Sequence, residues 1–401
     1  MKTIHQSHLT YCTNIHPGEN WEAVFKSLET YALAIKRDLA PIEQFGIGLR
    51  LSDTAAKELL EGNALQDFKQ WLEKENCYVF TMNGFPFGDF HDVVIKDKVH
   101  YPDWTTPERF QYTKNLIDIL SELLPTGLAG GISTSPLSYK FWHQDEAATH
   151  QAKLSCTQHY IQIAAYLQQI EQEKGTLIHI DIEPEPDGLL ENTAEVLAFY
   201  QDYLLSVGAT QLAEALNCSV EKAKEYVLRY LQICYDVCHF ALAFEEPKDT
   251  INQLHAHGIQ VGKIQISAAL KCKRSKTVSI EQQQQALKEF DEPTYLHQAV
   301  LRLQDGNLRK FPDLKEGMEG MNDPDFAELR THFHVPVFLA NYGYLSSTQD
   351  AIEAALSLWK ENPYSTHLEV ETYTWGVLPT ALQADLQQSI VRELSWIKAQ
   401  L

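Results

Sequence analysis

No run of 18 uninterrupted apolar residues occurs in this 401-residue chain, so no segment has the length a membrane span requires. The opening "MKTIHQSHLTYCTNIHP" lacks the apolar core of a secretory leader. No C-x-x-C spacing is present, and Cys234 and Cys238 stand four apart, which suits neither a zinc ribbon nor a redox pair. The seven cysteines therefore read as reduced thiols, and a cytoplasmic setting is expected. Basic residues are scarce, 33 Lys and Arg against 54 Asp and Glu, giving a net charge of −21. That balance opposes a phosphate backbone, so nucleic acid is not an expected partner. The one basic run, "KCKRSK" at 271–276, reads as a solvated loop. No glycine-rich phosphate turn follows an early strand, which removes the main argument for a dinucleotide-binding fold. No repeat or long linker is visible, and the only low-complexity run, "EQQQQA" at 281–286, reads as an exposed helix face.

What the chain does have is alternation. Short apolar runs, "LTYCTNIHP", "FGIGLRLS", "CYVFTMNGFP", "GLAGGISTSP", "TLIHIDIEPEP", "QICYDVCHF", "VGKIQISAA" and "HLEVETYTW", are separated by longer helical patterns. Helices are expected at Trp21 to Leu39, Thr54 to Lys74 and Pro107 to Leu124. Thr106 before Pro107 reads as a capping hydroxyl followed by proline at the first helical position. Strand and helix repeated eight times predict an α/β fold, a (β/α)8 TIM barrel. It should span 1–401 as a single domain, with two excursions at its C-terminal mouth, at about 84–104 and 268–331.

Side chains alternate across a strand. In "LIHIDIEP", Ile178, Ile180 and Ile182 share one face, while His179, Asp181 and Glu183 share the other. "HLEVET" sets Leu368 and Val370 against His367, Glu369 and Glu371. "GKIQIS" sets Ile264 and Ile266 against Lys263, Gln265 and Ser267. The outer face of a barrel packs on helices, so the polar set should point inward. A buried carboxylate needs a partner or a cation. Glu183, Asp236 and Glu371 fall near the C-terminal ends of their strands, where barrel chemistry occurs, and His239 follows Asp236 by three. A carboxylate at a strand end is commonly a cap or half of a salt bridge. Three on inward faces favour a divalent ion, with Mn, Zn, Mg, Co and Fe all admissible.

"DVCHFALAFEE" resembles the D-x-x-H strand end of the xylose-isomerase-like barrel superfamily, which includes sugar isomerases, ketose 3-epimerases and endonuclease IV. The resemblance implies metal ligands at Glu183, Asp236, Gln265 and Glu371, with His239 reaching substrate or a second metal. Gln265 departs from the pattern, where an imidazole is commoner. "RTHFHVP" offers His332 and His334 instead, with His334 preferred by analogy to an endonuclease ligand; the alternative is a buried hydrogen-bonded pair. More narrowly the chain is similar to the EboE family of metabolite-traffic proteins, through "LTYCTNIHPGE", "TMNGFPFGDFH", "GISTSPLSYK", "EPEPDGLLE", "CYDVCHF", "GKIQISAAL", "RTHFHVPVF" and "HLEVETYTWGVLP".

The expected activity is a metal-dependent isomerisation or epimerisation of a small sugar- or cyclitol-like metabolite, with Glu183 and Glu371 moving the proton. Asn83 and Trp375 are expected substrate contacts beside His239. Arg50 is either a holder of an anionic group or part of an ion pair inside the barrel. The competing readings are a metal-dependent hydrolase of a small phosphoester and a non-catalytic metabolite binder.

Overall fold

The computed structural model describes residues 1–88, 96–292, 296–376, 378 and 385–401. Seven strands alternate with helices: β1 (His8–Tyr11), β2 (Phe45–Arg50), β3 (Cys77–Asn83), β4 (Gly130–Thr134), β5 (Ile178–Ile182), β6 (Leu231–Asp236) and β7 (Val261–Ile266). Six short strands follow before the barrel resumes: β8 (Leu270–Lys273), β9 (Ala299–Leu303), β10 (Leu308–Phe311), β11 (Phe326–Thr331), β12 (Asn341–Tyr342) and β13 (Leu345–Ser347). The final strand is β14 (His367–Val370).

The eight barrel strands pair in parallel in the order β1-β14-β7-β6-β5-β4-β3-β2. Between β1 and β2 the ring is nearly closed. A single parallel bridge joins Cys12 to Gly48, and the Thr10 hydroxyl donates to Gly46 O (2.7 Å) and accepts from Gly48 N (3.1 Å). Gly48 makes the closure possible: a Cβ there would stand 1.8 Å from Glu369 Oε1 and 2.6 Å from Tyr11 O. The apolar faces of the strands, Ile178, Ile180, Ile182, Ile264, Ile266 and Leu368 among them, are wholly buried in the main hydrophobic cluster.

The polar faces line the interior. Asp181 holds His179 at 2.6 Å, and Lys263 donates to Glu369 (2.5 Å) and Ser133 (3.0 Å). Burial opposes the charge on Lys263, but Glu369 and the neighbouring acidic groups outweigh it and raise its pKa.

The second excursion is larger than the sequence pattern indicates. Six strands between Leu270 and Ser347 build an antiparallel sheet in the order β10-β9-β11-β8-β13-β12. Its buried residues, Leu270, Ala299, Leu301 and Leu329, belong to the same hydrophobic cluster as the barrel. Other local expectations are also corrected. Thr54 to Lys74 is two helices, Asp53–Leu59 and Ala64–Lys74, broken where Gly62 adopts φ 56°. Thr106 does not cap the helix Pro107–Leu123; its hydroxyl donates to Asp103 O (2.7 Å). The "EQQQQA" helix is not simply exposed, because the Gln283 amide is buried and donates to Lys273 O (2.7 Å). All seven cysteines are free thiols. Among the described residues, no helix is long and apolar enough to cross a membrane.

Candidate metal and substrate site

The D-x-x-H spacing is a helix cap put to a second use. Asp236 ends β6 and is the N-cap of the helix Val237–Leu242, its Oδ1 accepting from His239 N (3.1 Å) and from Ser267 Oγ (2.6 Å). That fixes the carboxylate and leaves the buried Oδ2 without a hydrogen bond. Glu183 follows β5 and Glu371 follows β14. The three carboxylates place one oxygen each within 4.8 Å of one another, all buried. Among the described residues no lysine or arginine lies within ion-pair distance of them; only His239 and His334 approach, at 3.7 to 3.9 Å. Glu183 Oε2 is likewise buried with no hydrogen bond. Asn14 Nδ2 (2.6 Å) and Asn83 Nδ2 (3.1 Å) both donate to Glu371 Oε1.

Burial, together with the charges of Glu371 and Asp236, pushes the Glu183 carboxyl well above the usual carboxylate range. Burial and Asp236 push Glu371 to about 8, opposed by the Gln265 amide.

The imidazoles complete the floor. His334 Nδ1 donates to the Glu371 carbonyl (3.1 Å), so Nε2 carries the lone pair, and that atom is buried without a partner. Burial lowers the His334 pKa to about 4, which keeps the ring neutral. His239 Nδ1 donates to Pro184 O (3.0 Å). His332 Nδ1 faces Gln298 Oε1 (2.9 Å), an amide oriented by its own bond to Pro186 O (3.2 Å). The two rings then bring Nε2 atoms to 3.1 Å of each other. Burial and the neighbouring histidines hold His332 well below its ordinary pKa, so a proton shared between the lone pairs is disfavoured and a cation suits them. Two sets therefore have the chemistry of ion ligands, Glu183, Asp236 and Glu371 with His334 beside them, and Glu185, His239 and His332, and a third group, Asp236, His239 and His334, links the two.

The structure thus brings Glu183, Asp236, Glu371, His239, His334 and Asn83 together around one pocket. Two residues singled out in the sequence, Arg50 and Trp375, lie elsewhere, while Gln265 sits beside Glu371 beneath the trio. Gln265 is level with Asp236 in the strand register but wholly buried, with Cys234 Sγ 3.9 Å from its Oε1. The Arg50 guanidinium is committed to Glu19 (3.1 Å), Gly18 O (3.2 Å) and Gly88 O, tying loops together outside the pocket lining. Trp375 is buried against Phe338, outside the pocket lining.

Sequence reasoning missed Asn14, Glu185, His100 and Gln298, which line the same pocket. Glu185 carried a readable signal: in "EPEPD" it repeats the carboxylate of Glu183 two residues on. His100 Nε2 lies 3.0 Å from Glu185 Oε1. Of the first excursion, residues 89–95 lie outside the described part, while Phe85, Lys96, Val99 and His100 form a pocket wall.

No family model matches the sequence, and no curated protein matches it. Solved structures do. A xylose isomerase-like TIM barrel protein from Mycobacterium smegmatis in complex with magnesium is similar at a TM-score of 0.50 and 11% identity, over 100% of this chain and 98% of that one. A D-tagatose 3-epimerase-like protein gives 0.48 at 10% identity, over 98% and 96%. A xylose isomerase domain protein from Planctomyces limnophilus gives 0.47 at 10%, over 92% and 90%. The likeness is one of fold: the chain is a (β/α)8 TIM barrel, similar in fold to the xylose isomerase-like protein.

Proposed function

We propose that the protein is a metal-dependent isomerase or epimerase of a small sugar- or cyclitol-like metabolite, with the whole chain forming one domain around the site. The observation that carries this reading is the buried trio Glu183, Asp236 and Glu371, three acids within 4.8 Å of one another and without a lysine or arginine partner among the described residues. Like charges cannot share a dry site uncompensated. The residues fit a divalent ion: two orphaned carboxylate oxygens and the orphaned His334 Nε2 are buried there, and His334 is aimed by the acceptor at its other nitrogen, as metal-bound imidazoles are. An ion so held would polarise a hydroxy-carbonyl group and acidify its α-proton or hydroxyl.

Glu183 and Glu371 stand just beyond the ends of two strands, β5 and β14, separated by β6 and β7, and take and return that proton from either side. Asn14 and Asn83 orient Glu371, and His239, anchored on Pro184 O, faces the substrate. Arg50 and Trp375 have no part in this reading, because Arg50 is committed to Glu19 and loop carbonyls and Trp375 packs on Phe338 outside the pocket lining. A narrower assignment, to the EboE-type metabolite-traffic proteins, rests on the strings spread along the chain and would put the reaction on the precursor of an exported compound.

The test combines elemental analysis of protein purified without chelator with solvent deuterium exchange into keto sugars and cyclitols. Metal-loaded wild type should exchange the α-proton, and Glu371→Gln should slow exchange by roughly 10²- to 10⁴-fold while circular dichroism is unchanged. Metal-replete protein that binds such a compound yet exchanges no proton would be a carrier, and the proposal would fail.

A further inference from the structure

The wall of the pocket continues outward as a ladder of rings. Phe85 and His100 line the pocket, their ring centroids 5.6 Å apart. His100 is 5.2 Å from Tyr139 and 6.4 Å from Trp142. Trp142 is 6.5 Å from Tyr101, and Tyr139 is 5.5 Å from Phe141. The inner rings are buried, while the outer three are open: Tyr101 is 65% exposed, Phe141 62% and Trp142 37%. A single exposed aromatic needs no explanation. Three adjoining ones, continuous with the wall of a buried polar pocket, mark a binding surface.

The surroundings say what kind of group the surface takes. Trp142 Nε1 donates to Asp97 Oδ2 (3.1 Å), which fixes the indole plane. Asp97 sits in the turn Lys96–His100 that supplies pocket wall. Lys140, beside Phe141, is held by Glu191 (2.6 Å) and Asp187 (3.6 Å). Flat apolar faces are thus interleaved with carboxylates and a cation already neutralised. An alkyl or prenyl tail would meet charges it must desolvate. A phosphate would meet repulsion in a chain of net charge −21. A sugar ring matches both features, with C–H faces for the aromatics and a hydroxyl donor for the partly exposed Asp97 carboxylate beside Trp142.

We infer that the mouth carries a second sugar subsite, so that the substrate is a glycoside: one unit enters the carboxylate–imidazole pocket and the next stacks on Trp142 and Tyr101. This deepens the isomerase reading and rests on it for the inner unit. The outer subsite can nevertheless be read by binding alone, with no turnover.

Intrinsic fluorescence and calorimetric titrations of the full chain would compare glucose with cellobiose and maltose, and galactose with lactose. At least one disaccharide should bind tighter than its component monosaccharide. Aromatic stacking of about 0.5–1.5 kcal/mol corresponds to roughly a 2- to 12-fold gain. That ratio should collapse towards one in Trp142→Ala and shrink in Tyr101→Ala, whose ring is mostly exposed and whose loss should not unfold the protein. The subsite is overturned if no disaccharide outbinds its monosaccharide, if the ratio survives both substitutions, or if hexyl glucoside gains as much as the disaccharides, which would make the occupant an apolar tail. None of these outcomes depends on proton exchange, so failure of the subsite and failure of the isomerase reading are told apart.

Discussion

His334 comes from outside the barrel strands and makes the sharpest single-residue claim. Its backbone is tied to the barrel by Val335 N on Ala268 O (2.9 Å) and by the Thr374 hydroxyl on its own carbonyl. Phe333 between the two histidines points the other way, against Phe290 (5.4 Å) and His297 (4.9 Å), so the alternation delivers both imidazoles to the pocket. A neutral ring with a bare, buried Nε2 beside three carboxylates should add affinity for transition ions over Mg²⁺. His334→Ala is expected to weaken Mn²⁺ or Co²⁺ binding by about 10-fold or more, measured by calorimetry. Unchanged affinity would assign His334 to structure alone.

At the level of elements, the barrel admits its interior charges because glycines stand opposite them. A Cβ at Gly262 would lie 1.8 Å from Asp181 Oδ1, and one at Gly48 would strike both Glu369 and the Tyr11 backbone. The Tyr11 carbonyl belongs to the strand that closes the ring, and Glu369 is pinned by Lys263, so neither yields cheaply. Gly48→Ala should cost roughly 1–3 kcal/mol or more, seen as a lower midpoint in urea unfolding. A midpoint equal to wild type would mean that β1 and β2 can separate without loss. The inserted sheet is the other decisive element: only three residues separate β8 from β7, and β11 leads the chain back to the mouth just before His332.

For the whole molecule, the acids of the site tie stability to pH and metal. Folding raises the pKa of Glu183, and of Glu371 to about 8, above the ordinary value of 4.5. Between those limits the unfolded chain gives up protons that the folded chain retains, so metal-free stability falls as pH rises through this window. A bound ion needs both groups ionised, so its affinity rises over the same range. In chelator, the melting temperature should therefore drop from pH 5 to pH 8. Saturating Mn²⁺ should raise it at pH 8 more than at pH 6, with 100-fold excess over Kd stabilising by about 2.7 kcal/mol. An Mn²⁺ effect independent of pH would show that the ion does not sit on these carboxylates. EDTA should reverse the gain.

The sequence by itself determined the barrel and the inward acids. Period-two alternation in "LIHIDIEP" and "HLEVET" is local, and it separated Ile180 from Asp181 and Leu368 from Glu369 with no knowledge of neighbours. The D-x-x-H spacing is local too, being a cap and the first turn of a helix. Only the tertiary structure decided what joins them. Asn14 meets Glu371 across 357 positions, and His239 meets His332 across 93. The inserted sheet pairs strands such as "LRKF" in β10, too short and polar to announce themselves. Arg50 carries the same inward parity as a site residue, yet its long side chain reaches the loop carbonyls of Gly18 and Gly88. Parity fixes the face a side chain leaves from; where its end arrives depends on which loops pack within its reach.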